Sequence, residues 1–212
     1  NNATSSEPVL RIHKGVIHEG VINKAIVGSS HNSLIQVLFK EYDQTVSVFF
    51  IDNLQFLANN WLLYTGFSVG AADCIATKEQ EIENVITRCF MEAKGVEQTT
   101  NIDHIKEIKI NASLSKARDH GMRIAKEALS SENNFISTVT SGSKGDYFNI
   151  AQITGLLGQQ NFSGKRIEPA MNNETRTLPH YPFEGLSKET EFESRGFVKN
   201  SFIRGISPRE FW

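Results

Sequence analysis

The residues whose types and spacing suit chemistry are concentrated between Ser141 and Ile167. Ser141-Gly142-Ser143-Lys144-Gly145-Asp146 places one cation on a glycine-flanked turn. Gln152 follows on a short predicted helix, then Gly158-Gln159-Gln160-Asn161 and Gly164-Lys165-Arg166-Ile167. Glycine-rich turns expose backbone amides that can cradle anions. The phosphate-loop pattern GxxxxGK[ST] is nevertheless absent: Gly145-Asp146 follow Lys144, and a helix rather than a buried strand precedes it. Two readings of the turn stand side by side. It is a tight connection between helices, or a mount on which Lys144 meets a passing triphosphate as a point charge. Gln159, Gln160 and Asn161 offer amide donors and acceptors just past a helix end, and as exposed residues they are ordinary solvated loop. Lys165 and Arg166, with Arg176, form either a small basic surface or scattered surface charge.

Other chemistry is poorly represented. The six histidines (13, 18, 31, 104, 120 and 180) show no HExxH or HxxxH spacing, so a metal site is not expected. Acids in Glu79-Gln80-Glu81 and from Glu189 to Glu193 sit on solvated stretches and do not form convincing acid/base pairs. Cys74 and Cys89 have neither CxxC nor paired-histidine spacing, and read as reduced thiols of an intracellular protein.

Bulk properties narrow the classes further. The chain has 212 residues, 39% hydrophobic and 22% charged, which is globular composition with length for a real core. A formal charge of -2 and a pI near 6.3 argue against a general nucleic-acid coat, leaving room only for a local basic site. No apolar run approaches the ~20 residues of a membrane span, and no signal peptide is visible. With no initiator Met and an end at Arg209-Glu210-Phe211-Trp212, the chain reads as a piece of something longer.

The elements that must position these residues follow from periodicity. Residues 9–28 are short β-branched pieces (including Val16-Ile17, Val21-Ile22 and Ile26-Val27) parted by Gly15, Gly20 and Gly28, which predicts a small antiparallel sheet. From about Val46, Phe50, Leu54, Leu57, Trp61 and Tyr64 recur at helical steps, and Gly66 offers a left-handed stop. Thr77 and Gln80 match a capping box for a helix striped by Ile82, Val85, Ile86, Cys89, Phe90 and Ala93 and ended by Gly95, with a loop from Val96 to Asn101. A third helical stretch starts near Ile102. Its stripe drifts, predicting a kink or break near Asn111 and an interruption at Gly121. An antiparallel helical pair is the expected product. Asp146 caps a short helix running to Leu157 and ended by Gly158, and Glu168 to Glu193 reads as an irregular crossing loop. The fold class is thus α+β, predominantly helical.

One resemblance spans nearly the whole chain. Leu34-Ile35-Gln36-Val37, Asn53-Leu54-Gln55, Asn60-Trp61-Leu62-Leu63 and Gly66-Phe67-Ser68-Val69-Gly70 resemble the end of the pore domain in the largest subunit of eukaryotic-type multisubunit RNA polymerases. Lys116-Ala117-Arg118-Asp119 resembles part of that family's funnel helices. Asn149-Ile150-Ala151-Gln152, Gly158-Gln159-Gln160, Gly164-Lys165-Arg166-Ile167 and Arg176-Thr177-Leu178-Pro179-His180 are similar in order and spacing to its most recognisable stretch. Glu193-Ser194-Arg195-Gly196-Phe197-Val198, Asn200-Ser201-Phe202 and Gly205-Ile206-Ser207-Pro208 resemble the approach to its bridge helix.

The resemblance implies residues 1–70 as the end of a pore domain, 71–185 as a funnel domain and 186–212 as the approach to the bridge helix. It implies a nucleotidyltransferase whose two Mg²⁺ ions are held outside this chain, so that this stretch alone is inactive. Here it implies a channel wall that admits nucleoside triphosphates and accommodates backtracked RNA. The implied partners are other polymerase subunits and a transcript-cleavage factor. By the resemblance, Lys144, Gly145 and Gln152 match nucleotide-entry positions of the family. By the same resemblance, Gln159, Gln160, Asn161, Gly164, Lys165 and Arg166 match family positions that contact the toxin α-amanitin and adjoin the trigger loop. A docking module without catalytic duty is the alternative. The chain departs from the family at Gly70-Ala71-Ala72-Asp73-Cys74, at Phe148, Leu156 and Asn161, and between Met171 and Lys188. Such drift resembles polymerases of large DNA viruses such as African swine fever virus, implying cytoplasmic replication sites and virions, or the nucleus for a cellular enzyme.

Overall fold

The computed structural model describes residues 10–75, 78–130, 132–182 and 184–211. Val9, Thr77 and Trp212 lie outside the described residues, and with Thr77 goes the predicted capping box. The chain divides into two compact units, residues 1–68 with 137–144, and residues 69–136 with 145–212.

In the first unit β1 (Arg11–His13) and β2 (Val16–Glu19) form the expected antiparallel hairpin. Lys14 (φ 49°) and Gly15 (φ 77°) both take the left-handed turn that such a two-residue connection demands. The sheet ends sooner than predicted. Ile26 and Val27 belong to a short helix, α1 (Lys24–Val27), because the Asn23 side chain accepts from the amides of Ala25 and Ile26 and starts a helical turn. Ser33 caps α2 (Leu34–Glu41) and Asp43 caps α3 (Gln44–Thr65), which Gly66 ends at φ 64° as expected. The predicted α3 stripe is helical but not buried in this chain: Leu57, Trp61 and Tyr64 are all exposed.

The second unit carries the core. A short 3-10 turn at Ala71–Cys74 precedes α4 (Glu79–Thr99), whose stripe Ile82, Val85, Cys89, Phe90 and Ala93 is buried. Gly95 does not end α4. Propensity alone costs only about 1 kcal/mol there, and the helix continues through Val96 to Thr99. Its antiparallel partner α5 (Asp103–Ala128) is continuous past both Asn111 and Gly121. A Cβ on Gly121 would sit 3.0 Å from Leu156 Cδ2, so this glycine serves close packing rather than a break. Ile110, Leu114, Ala117 and Ile124 complete the α5 stripe.

α6 (Asn134–Thr140) and α7 (Tyr147–Thr154) follow. Asp146 caps α7 through a full capping box with Asn149, but the helix stops at Gly155, three residues before the predicted end. The chain then extends into β3 (Gly158–Gln159), paired antiparallel with β4 (Phe197–Val198). Both α7 and β3 pack on α5. The predicted crossing loop contains a helix, α8 (Lys188–Ser194), capped by Ser187. Phe192 of α8 and Phe197 of β4 close over Phe90, with ring centroids 5.3 and 4.8 Å away. α9 (Pro208–Phe211) ends the described chain. The fold is predominantly helical α+β, as the periodicity predicts.

Candidate functional site

The best-defined polar constellation is built by α5, β3 and the ends of α8 and β4, in the second unit. Glu107, one turn into α5, meets Arg166 across 59 residues of sequence: Nε to Oε1 and Nη2 to Oε2 are both 2.7 Å. The fork-to-fork geometry is the strong form of a charged hydrogen bond. Arg195 Nη1 adds a third bond to Glu107 Oε2 at 3.0 Å. Arg166 is only 2% exposed and lies over the Phe192 ring. Burial works to raise the Glu107 pKa, but hydrogen bonds and charge from Arg166 and Arg195 outweigh it and hold the carboxyl below its ordinary range.

The glutamine pair hangs on the same network. Gln159 is buried, and its Nε2 donates to the carbonyls of Gln160 (2.8 Å) and Arg195 (2.9 Å). Arg195 Nε donates to the Ile167 carbonyl at 2.9 Å. Gly196 makes this crossing possible. At φ 102°, a Cβ there would lie 2.6 Å from the Gln160 carbonyl oxygen. Gln160 is exposed, with Nε2 returned to the Leu157 carbonyl.

The remaining predicted residues are distributed as follows. Lys144 lies in the first unit and is exposed, on a turn whose Ser141 carbonyl accepts from Lys24 N at 3.0 Å. A Cβ on Gly142 would come within 2.8 Å of Lys24 Cβ, so the turn is tightly seated on α1. Gly145 opens the next segment of the second unit at φ 68°. Gln152 is half-buried on α7 and its carbonyl accepts from Phe202 N. Asn161, Gly164 and Lys165 are exposed, and Lys165 makes a loose 3.6 Å pair with Glu168 that contributes little.

The reading of Lys165, Arg166 and Arg176 as one basic surface does not hold. Arg166 turns inward to Glu107, and Arg176 folds back on the carbonyls of Pro179 and Tyr181. Sequence reasoning does not single out Glu107, and meets Gly196 only inside the Glu193 to Val198 stretch, with no role of its own. The one available signal was indirect, since an arginine that becomes buried requires an acid, and nothing local points to residue 107.

Chemically the constellation is a positioning device. It holds one turn of chain rigid and presents Gln160 and Lys165 outward, with no nucleophile beside a base. Among the described residues no group of three or more His, Cys, Asp or Glu side chains is placed to hold a metal ion. Cys89 is buried and Cys74 half-buried, both as free thiols whose pKa burial pushes up.

From Glu92 of α4 onward, the helical pair α4 and α5, the glutamine turn and the short return strand fall within a stretch whose sequence matches one class of enzyme subunit. Residues 2–74 match the family model of RNA polymerase Rpb1, domain 3, and residues 92–198 match RNA polymerase Rpb1, domain 4. The chain belongs to the RNA polymerase Rpb1 family. It is 43% identical over its whole length to a DNA-directed RNA polymerase II subunit RPB1 homologue of invertebrate iridescent virus 6, of which it spans 22%. Over 76% of its length it is 37% identical to the DNA-directed RNA polymerase 008R of frog virus 3, of which it spans 12%. Relatives in two viruses fit the viral character expected from the sequence. No helix among the described residues is long and apolar enough to cross a membrane.

Proposed function

We propose that this chain forms the wall of the nucleotide-entry pore in the largest subunit of a viral DNA-directed RNA polymerase. Residues 1–70 are the end of the pore domain, 71–185 the funnel and 186–212 the approach to the bridge helix. The observation that carries the reading is the pair of consecutive Rpb1 domain matches over residues 2–74 and 92–198. Lys144 supports it as an exposed cation on a turn held in place by Lys24 and two positive-φ glycines. A cation so mounted draws triphosphates by charge and releases them, because nothing about it is shaped to retain them.

The polymerase's partners are its other subunits, incoming nucleotides, backtracked RNA and a transcript-cleavage factor; its compartments are cytoplasmic replication sites and the virion. Phosphoryl transfer in such an enzyme is supplied by Mg²⁺. Among the described residues no group of three or more His, Cys, Asp or Glu side chains is placed to hold that ion, and the role assigned to this chain is to bind and guide.

In the assembled enzyme Lys144→Ala raises the nucleotide KM or slows cleavage of backtracked RNA, more at low salt than at high. Both rates unchanged at both salt concentrations would overturn the role of Lys144.

A further inference from the structure

The seam between α4 and α5 is laced by cross-helix charged pairs. Lys78 meets Glu127 at 3.7 Å, and Lys116 meets Glu92 at 2.8 Å. Between those two rungs lies a third of a different kind. Arg88 Nη2 approaches His120 Nε2 at 3.0 Å, while Arg123 Nη2 approaches His120 Nδ1 at 3.2 Å. Both guanidiniums are exposed, and among the described residues neither pairs with a carboxylate.

This rung is chemically incomplete. A neutral imidazole has one acceptor nitrogen, so only one of the two arginines can donate to it. The other sets N–H against N–H. A protonated imidazole would accept from neither and would add a third positive charge. The acids that act on His120 make no ion pair with either arginine. Glu92 is engaged by Lys116, and Asp119 stands beside Arg118 at 4.0 Å. Burial and the two arginine charges hold His120 below its ordinary pKa, against the opposite pull of Asp119 and Glu92. The cluster thus presents unmet donors to solvent at the one rung whose acid is missing.

We propose that Arg88, His120 and Arg123 form a docking site for a single carboxylate, an Asp or Glu side chain projecting from another protein chain. A planar carboxylate can bridge two guanidiniums as a phosphate can, so geometry alone does not choose between protein and nucleic acid. The surroundings do. Glu92, Asp119 and Glu127 flank the rung along the same seam and repel an extended polyphosphate backbone. A folded partner with one acid at the centre and cations beside it is complementary to this alternation. The docked carboxylate completes the seam, giving it an acid at every rung. The inference stands apart from the role of Lys144, which lies in the other unit.

The test uses the assembled complex that contains this chain. Arg88→Lys keeps the charge and makes it reactive toward carbodiimide-activated carboxylates, and the adducts are mapped by mass spectrometry. The expected result is a new zero-length cross-link from position 88 to an Asp or Glu of a different polypeptide. Exchanging the two charges, Arg88→Glu with that acid changed to Lys, then restores association that either change alone weakens about tenfold. Cross-links confined to Glu92 or Asp119 of this chain, or no cross-link at all, overturn the proposal. A nucleic-acid adduct at the rung under ultraviolet irradiation would assign the site to phosphate and overturn it equally. Unchanged melting of Arg88→Glu, at an exposed position, separates loss of docking from loss of fold.

Discussion

Glu107→Gln is the sharpest test of how the second unit is held together. The substitution keeps the shape of the side chain and one acceptor oxygen, but removes the charge that faces Arg166. Arg166 is 1% exposed in its side chain and Glu107 31%, so the arginine bears the full consequence and the acid part of it. Removing one member of a fully buried pair costs about 3–5 kcal/mol. Partial solvent access to Glu107 and the surviving amide oxygen place the expected loss near the lower end, roughly 3 kcal/mol. For a domain of this size that corresponds to a fall in Tm of roughly 6–12 °C. The assay is calorimetric or circular-dichroism melting of the chain at neutral pH. A companion variant, Glu107→Leu with Arg166→Met, removes both charges and should be less destabilised than Glu107→Gln alone, because no uncompensated charge stays buried. Two results would refute the reasoning: a Tm loss below about 2 °C for Glu107→Gln, or a companion variant that melts lower still.

Three further outcomes follow from the same geometry. The folded-state pKa of Glu107 lies below the ordinary 4.5, so its contribution is complete above about pH 4.5 and disappears as pH falls through the folded value; the stability gap between the wild type and Glu107→Gln should therefore narrow on acidification, read from urea midpoints at pH 7 and below pH 4. Gly196→Ala forces a Cβ to 2.6 Å from the Gln160 carbonyl at φ 102°, and should cost more than about 2 kcal/mol in urea unfolding while shifting the Gln159 and Gln160 amide resonances; an unshifted pair would show that the crossing is looser than the geometry implies. Asp146→Ala removes a cap that both accepts from Asn149 N and belongs to a reciprocal box, and should cost about 1 kcal/mol by the same assay, with Asp146→Asn close to wild type.

What was legible in the sequence was what depends on near neighbours. Helical stripes in α4 and α5, the Asp146 cap and the Gly66 stop are written within a few residues of where they act. The errors came where a local signal met a distant partner. Gly121 looks like a breaker until Leu156 is packed against it, and Gly95 lacks the left-handed backbone that would make it a stop. Ile26 and Val27 have strand-forming side chains, but Asn23 caps their amides into a helical turn. The α3 stripe was read correctly as helix, yet periodicity does not say what covers it, and Trp61 and Tyr64 remain exposed here. The site was legible only as motifs. No spacing rule links Glu107 to Arg166 across 59 residues or to Arg195 across 88.

That long-range acid changes the meaning of the most suggestive basic motif. Gly164-Lys165-Arg166 reads in sequence as two adjacent cations with the same prospects, but the fold gives them opposite duties. Because consecutive side chains of an extended segment point to opposite sides, drawing Arg166 inward to Glu107 turns Lys165 outward. Glu107 also accepts from Arg195, which ties residue 166 to Arg195 and, through the Arg195 carbonyl, to Gln159, so one carboxylate sets the positions of both halves of the motif. A substitution at Arg166 therefore cannot be read as the loss of a surface charge: it would release the glutamine turn together with it. Lys165→Ala, by contrast, removes an exposed charge with only a loose partner. Any effect of that change on nucleotide or toxin binding would report charge at the surface, separate from the scaffold that presents it.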